Sequence, residues 1–369
     1  MKTLTIVLAC AALIGWGNRS FATAVIFDTD VAIDDWSALL FLGKHPEVDL
    51  LAVLANGVGE TRCPPAMKNI PALLDLTPQK DVAVACGDDY PLDGFFAFPE
   101  PWRQQADTLS GVALPPSQRP VSQQHAVELL HQTLSAARQR VVVVATGSLT
   151  NIAQWLEKYP ADKPKVKRLV IMGGSFEAPG NIIVPGFTDG HPNTRAEWNI
   201  FVDALAAETV FASGLPIEVV GLDVTNQVKV TTEFAKDFKQ NVSTPAAEFW
   251  DKVLDDNDWF IDSGEYYFWD VLAAIVAVEP SFCKGPMTPV AVRFSEVAQA
   301  DLTEDSAALV WADKTIPTTT VTSQPRKHYD PATFGITEMA GDHPAVKVCT
   351  KTRANKAFKL FTKTLNRAD

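Results

Sequence analysis

Val25-Ile26-Phe27-Asp28-Thr29-Asp30-Val31-Ala32-Ile33-Asp34-Asp35-Trp36 carries four carboxylates within eight positions, led by an apolar run and followed by an apolar helical pattern. The lead reads as a short strand over 25–29, and Asp34 opens a helix to about residue 44. Carboxylates are rarely buried unless they are paired or bound to metal. At the carboxyl end of a strand these four would converge on one point, where a hard cation can hold them together. The plainer alternative is an exposed acidic turn in which Asp34 or Asp35 caps the helix. Two Asp pairs in immediate succession at a strand end favour a site.

Outward from this stretch, strands and helices alternate. Residues 49–55 (DLLAVLA) form a continuous apolar run, the pattern of a strand buried on both faces. Helices are expected over 65–76, 123–138, 204–212 and 355–365, and strands over 82–85, 141–146, 167–172 and 216–220. Residues 231–278 read as largely helical, with a break near 255–264. Short strands near 290–294, 307–311 and 318–322 suggest a small peripheral antiparallel piece. Segments 87–122 and 173–195 read as long loops, which in a compact domain are usually functional or inserted. Alternating βα units predict one α/β domain with a mostly parallel sheet flanked by helices. Ligands of such sheets bind beyond the carboxyl ends of the strands.

The 369 residues are 47% hydrophobic and 21% charged, enough for one large core. The net charge is −12 and no run is rich in Lys and Arg, so the electrostatic footprint of a nucleic-acid binder is absent. Residues 1–24 read as a secretory leader, leaving 25–369 as the folded domain. Lys2 precedes an apolar run over 4–16 that is too short to span a bilayer. Ser20-Phe21-Ala22 or Ala22-Thr23-Ala24 then offers a small-residue cleavage site. The mature chain is expected outside the cytoplasm, in the periplasm or the medium, with no membrane span left. Cys63, Cys86, Cys283 and Cys349 are too irregularly spaced for a zinc pattern. In an oxidising compartment they are open to one or two disulfides or to buried thiols.

Polar clusters recur at the expected strand ends. After Asp28, Asp30, Asp34 and Asp35 come Asn56-Gly57-Val58-Gly59-Glu60, then Thr146-Gly147-Ser148-Leu149-Thr150-Asn151. Met172-Gly173-Gly174 leads through Gly180-Asn181 to Glu197-Trp198-Asn199, and Trp269-Asp270 opens an apolar helix far downstream. A calcium site takes six to eight oxygens from carboxylates, carbonyls and water. Asp30, Asp35, Asp270 and the Thr146 carbonyl are candidates for the protein's share. No His/Cys cluster points to zinc.

DTD-x-x-x-DD at 28–35, TGSLTNIA at 146–153, MGG at 172–174, Glu197-x-Asn199 and Trp269-Asp270 together resemble the inosine-uridine-preferring nucleoside hydrolase family. The resemblance implies a single Rossmann-like α/β domain that binds Ca²⁺ and hydrolyses the N-glycosidic bond of ribonucleosides. It implies that Asp30 is both calcium ligand and general base, and that Asp35, Asp270 and Thr146 complete the calcium shell. Asp34 would bond a ribose hydroxyl, and Asn181, Glu197 and Asn199 would hold the others, with Met172 against the sugar. Asp28 would orient the ligands from behind. The partner is then a small nucleoside, and a homo-oligomer is left open.

Several positions depart from the motif. Val31-Ala32 replaces the usual Pro-Gly, which predicts a less tightly turned loop. Asn56 and Glu60 compete for a role usually held by an Asn after the second strand, and Asn193 competes with Asn181. Trp269 stands where many members have a His, as in a purine-preferring branch. A Trp cannot donate a proton at a useful pKa, but it can stack on a purine. Plain core packing beside Phe268 is the alternative. Trp102, Trp259, Phe260 and Tyr266 are candidate walls of the base pocket.

Two rival readings compete with this one. In a haloacid-dehalogenase-like phosphatase, Asp28-Thr29-Asp30-Val31 would carry the nucleophile. The best later acid pair, Asp88-Asp89, then precedes Thr146, which is the wrong order. A non-catalytic nucleoside-binding protein would not require the general base Asp30.

Overall fold

The computed structural model describes residues 22–299 and 315–368. Residues 1–21 of the expected leader at 1–24, and the expected strand at 307–311, lie outside the described residues. The strands are β1 (Thr23–Thr29), β2 (Val48–Ala55), β3 (Ala83–Cys86), β4 (Val141–Ala145), β5 (Val166–Met172), β6 (Ile217–Val220), β7 (Met287–Pro289), β8 (Ala291–Val292), β9 (Glu296–Val297), β10 (His328–Tyr329), β11 (Thr337–Glu338) and β12 (Ala345–Val348). The main sheet runs in the order β3-β2-β1-β4-β5-β6-β12-β7. Its pairs are parallel except β12 with β7. β8 pairs with β11, and β9 with β10, as small antiparallel ribbons.

This order has a direct chemical consequence. The sheet grows one way from β1 through β2 to β3 and the other way through β4 to β6. The crossover connections diverge between β1 and β4, leaving a crevice beyond the carboxyl ends of those two strands. Asp28 to Asp35 and Thr146 to Asn151 follow these two ends.

Alternation along β1 serves both faces of the sheet. Val25 and Phe27 join one core, Ala24 and Ile26 the other. The first core receives α1 (Ile33–Lys44), α12 (Trp269–Val278) and α13 (Ala354–Leu365). The second receives α4 (Ala126–Ala136), α5 (Thr150–Lys158) and α7 (Ala204–Phe211). Among these, α12 is apolar nearly all round and buried, as expected of a helix enclosed by sheet and helices. The remaining α-helices among the described residues are α2 (Cys63–Leu74), α3 (Glu100–Asp107), α6 (Trp198–Phe201), α8 (Leu222–Thr225), α9 (Thr232–Lys239), α10 (Pro245–Asp256) and α11 (Asp258–Ser263).

Three expectations are corrected. Segment 87–122 is not wholly loop, since it contains α3. That helix is polar, buries only Arg103 and Ala106, and so shows no apolar stripe. Residues 318–322 form no strand, only an isolated bridge between Thr319 and Pro325. Residues 345–348, unassigned in the sequence, form β12 inside the main sheet. The four cysteines form two disulfides. Cys63–Cys86 ties the start of α2 to the end of β3, and Cys283–Cys349 ties the turn after α12 to the residue after β12.

Candidate active site

Asp35 sits in the first turn of α1 and is buried. Its carboxylate accepts from the Thr29 hydroxyl, from the Thr146 hydroxyl at 2.6 Å and from the Ala32 amide at 2.8 Å. The amide bond is the helix cap of the plainer reading. The hydroxyl bonds come from the ends of β1 and β4, so Asp35 also joins the two strands at the crevice. Asp34, Asp35 and Asp270 bring carboxylate oxygens within 4.8 Å of one another. Asp30 borders this trio through Asp35, which raises its pKa by repulsion and by a hydrogen bond. The trio thus holds Asp34 where the sequence reading has Asp30.

Asp30 is gripped from the second strand's turn. Its Oδ2 accepts from the Glu60 amide at 3.1 Å. Gly59 comes so near that a Cβ there would stand 2.1 Å from the same oxygen, so only glycine fits. Asp28 lies behind, where its Oδ2 accepts from Asn151 Nδ2 at 2.9 Å.

The electrostatics are strained. Burial first, then mutual repulsion, raises Asp30 and Asp270 well above the ordinary carboxylate range. The same causes push Asp34 to about 7. Burial takes Asp28 to about 8, against the lowering bonds from Asn151 and Asn56. Glu60 also reaches about 8 through burial and the charges of Asp34 and Asp35, with Arg103 opposing. Asp270 Oδ1 and Asp28 Oδ1 are buried without a hydrogen-bond partner. Acids that resist joint ionisation, all-oxygen donors and an orphaned Asp270 oxygen fit a hard divalent cation.

The residues expected to hold the sugar meet beyond β4 and β5. Asn199 Nδ2 donates to the Thr146 carbonyl at 3.0 Å and lies 3.3 Å from Met172 O and Sδ. The Thr146 carbonyl, with two lone pairs, therefore already has one protein donor. Glu197 caps α6, accepting from the Gly174, Asn199 and Ile200 amides. Burial pushes it to about 7 despite these bonds. Asn181 Oδ1 receives the Trp198 amide at 3.1 Å, which holds Asn181 beside this group. Asn193 is buried and fully engaged with Pro331, Phe334, Arg195 and Ala196, so it does not compete. Asn56 is likewise engaged by Ser148 O at 2.5 Å and the Val58 amide at 3.1 Å. Asn56 also lowers the Asp28 pKa through a hydrogen bond, whereas Glu60 feels the charges of Asp34 and Asp35.

Trp269 is half-buried and packs against the first core. Its ring lies 6.0 Å from Phe260, 6.0 Å from Tyr266 and 5.6 Å from Tyr267. Trp259 extends this run outward, stacked on Phe260 and half exposed. Trp102 belongs to a second cluster with Phe98, Phe187 and Trp198. Helix α3 links the two, because Gln105 Nε2 donates to Asn257 Oδ1 at 2.8 Å, next to Trp259. Arg103, on the same helix, donates to Gly57 O at 2.9 Å in the turn that holds Asp30. No motif marks Arg103. Only its buried place on α3 reveals it.

Residues 25–359 match the family described as inosine-uridine preferring nucleoside hydrolase. Uridine nucleosidase 1 of Arabidopsis thaliana is 31% identical over 259 residues, 69% of this chain and 74% of the relative. A pyrimidine-specific ribonucleoside hydrolase of Citrobacter koseri is 33% identical over 244 residues, 64% of this chain and 74% of its own length. An inosine-uridine preferring nucleoside hydrolase from Bacillus anthracis superposes with a TM-score of 0.70 at 23% identity, covering 94% of this chain and 100% of that one. A purine-preferring ribonucleoside hydrolase from Gardnerella vaginalis has a TM-score of 0.70 at 22% identity, covering 93% of this chain and 98% of that one.

Proposed function

The chain belongs to the inosine-uridine preferring nucleoside hydrolase family and is a nucleoside-hydrolysing enzyme, and from that premise we propose a calcium-dependent hydrolase that favours purine ribonucleosides and releases ribose and free base. The observation that carries the reading is the trio of buried Asp35 and Asp270 with partly buried Asp34 at the sheet's switch point, with Asp30 beside it.

Asp30, Asp34, Asp35, Asp270 and the Thr146 carbonyl are the residues that would hold Ca²⁺. When bound, the cation supplies positive charge that orients the sugar hydroxyls and makes a nearby water more acidic. Asp30, held by the Glu60 amide, is the base that takes the water's proton. Breaking the C–N bond builds positive charge on the sugar, and the ring of acids stabilises it. Asp34 bonds a ribose hydroxyl. Asn181, Glu197 and Asn199 hold the sugar's other hydroxyls, and Met172 packs against its ring. Trp269 stacks on the base, which suits a large purine and leaves protonation of the departing base to solvent or a relay.

A second reading has its own support. Two relatives above 30% identity are named for uridine and pyrimidine substrates. In that reading the aromatic wall takes a smaller ring. Reducing-sugar release from inosine, guanosine, uridine and cytidine separates the two, run with EDTA and then with Ca²⁺ or Mg²⁺ restored. Faster turnover of uridine than inosine overturns the purine preference. Undiminished turnover in EDTA overturns the calcium requirement. Export of the chain is part of the proposal, and two disulfides support it, since such bonds persist in oxidising compartments.

A further inference from the structure

Val31 sits between the two pairs of acids with φ of 60°. A β-branched residue rarely takes this left-handed conformation, because its Cβ substituents crowd the neighbouring carbonyl. The loop is therefore more sharply turned than its Val-Ala sequence predicts, and something must hold it. Its partners are all buried. The Val31 carbonyl accepts from the Trp36 indole N–H at 2.6 Å and from the Thr61 hydroxyl at 3.0 Å. The Val31 amide donates to Thr29 Oγ1 at 3.0 Å, and that hydroxyl in turn donates to Asp35. One residue back, the Thr61 amide donates to the Asp30 carbonyl at 2.9 Å, while the Glu60 amide holds the Asp30 carboxylate.

We infer that Trp36 and Thr61 are positioning residues: by clamping the Val31 carbonyl they hold a strained turn and so set the Asp30 carboxylate against Asp35. Released, Val31 relaxes toward negative φ, the Asp30–Val31 peptide rotates, and the Asp30 carboxylate leaves its place beside Asp35. This rests on the proposed role of Asp30. The clamp's function is to keep one side chain aimed. Trp36 is a residue of α1, and Thr61 belongs to the turn between β2 and α2, so the clamp also locks the first two βα units together at the site.

The test uses the full chain with Ca²⁺ present. Thr61→Val removes the hydroxyl and keeps the shape, whereas Thr61→Ser keeps the hydroxyl. Thr61→Val is expected to lower kcat for inosine about tenfold or more, with KM little changed. Thr61→Ser should stay close to the parent. Adding Val31→Gly to Thr61→Val should recover most of the lost kcat, because glycine adopts positive φ without strain. A Thr61→Val protein with lower Tm but unmoved kcat would show the clamp to be merely structural and overturn the inference. Failure of Val31→Gly to recover kcat would do the same. If the parent chain hydrolyses no nucleoside, the function proposed above falls, and Ca²⁺ affinity by calorimetry still reads the clamp. Thr61→Val must then bind Ca²⁺ more weakly than Thr61→Ser, and equal affinities overturn it.

Discussion

The carboxylate side and the aromatic side of the site are built from different material. Asp28, Asp30 and Thr146 stand at or just beyond the ends of central strands, and Asp34, Asp35 and Asp270 open buried helices. Trp102, Phe187, Trp259 and Phe260 come from α3, α11 and a long loop, and Phe187 and Trp259 are exposed. A group fixed at a parallel strand end inherits the rigidity of the sheet, whereas one on a peripheral helix can shift or be replaced without disturbing the core. In the proposed mechanism the sheet therefore fixes the bond-breaking chemistry, while specificity falls to elements that the fold leaves adjustable.

The largest test of this contrast is Asp30→Asn. It should lower kcat by about 10²–10⁴-fold, the usual contribution of a general base, with KM largely kept. Steady-state assays on inosine measure both. Near-normal turnover breaks the assignment of chemistry to the carboxylate side. Trp269→Ala probes the other side and should cost purine nucleosides about tenfold in kcat/KM, the scale of one base–aromatic stack. A p-nitrophenyl riboside, whose leaving group needs no stacking, should lose less. Equal losses would place Trp269 in the structural class instead.

The smallest effect is on stability without cation. The Asp34 pKa in the folded chain is about 7, above its ordinary 3.8, so the folded state holds this proton more tightly than the unfolded one. Stability present at acid pH is therefore lost as pH rises through 7. The Tm of the EDTA-treated protein should fall between about pH 5 and pH 8, and added Ca²⁺ should offset the fall. A Tm that rises with pH in EDTA contradicts the repulsion among the acids.

The same contrast explains what the sequence made legible. Alternating apolar runs and the Asp-rich turn were enough to place β1, α1, β2 and the carboxylate end of the crevice. Polar residues at strand ends carry a fixed spacing that can be read directly. Helix α3 was hidden because its buried face is a cation and an alanine rather than an apolar stripe. Its contacts with Gly57 and Asn257 join residues far apart in the chain, and no local pattern encodes them. The clamp on Val31 was hidden for another reason. The substitution of Pro-Gly by Val-Ala pointed to a looser loop, whereas the Trp36 and Thr61 donors keep it tight. Strand β12 was missed because its four residues carry too short a pattern to separate strand from loop.

β12 also constrains how the chain reaches its folded state. It fills the place between β6 and β7 although it is made long after both. Until residues 345–348 emerge, β6 presents a bare parallel edge, and pairings at large sequence separation form slowly because a long loop must close first. The nascent chain thus carries an open sheet edge from the completion of β6 at residue 220 until β12 is made at 345–348, the kind of surface that chaperones shield and that aggregation exploits.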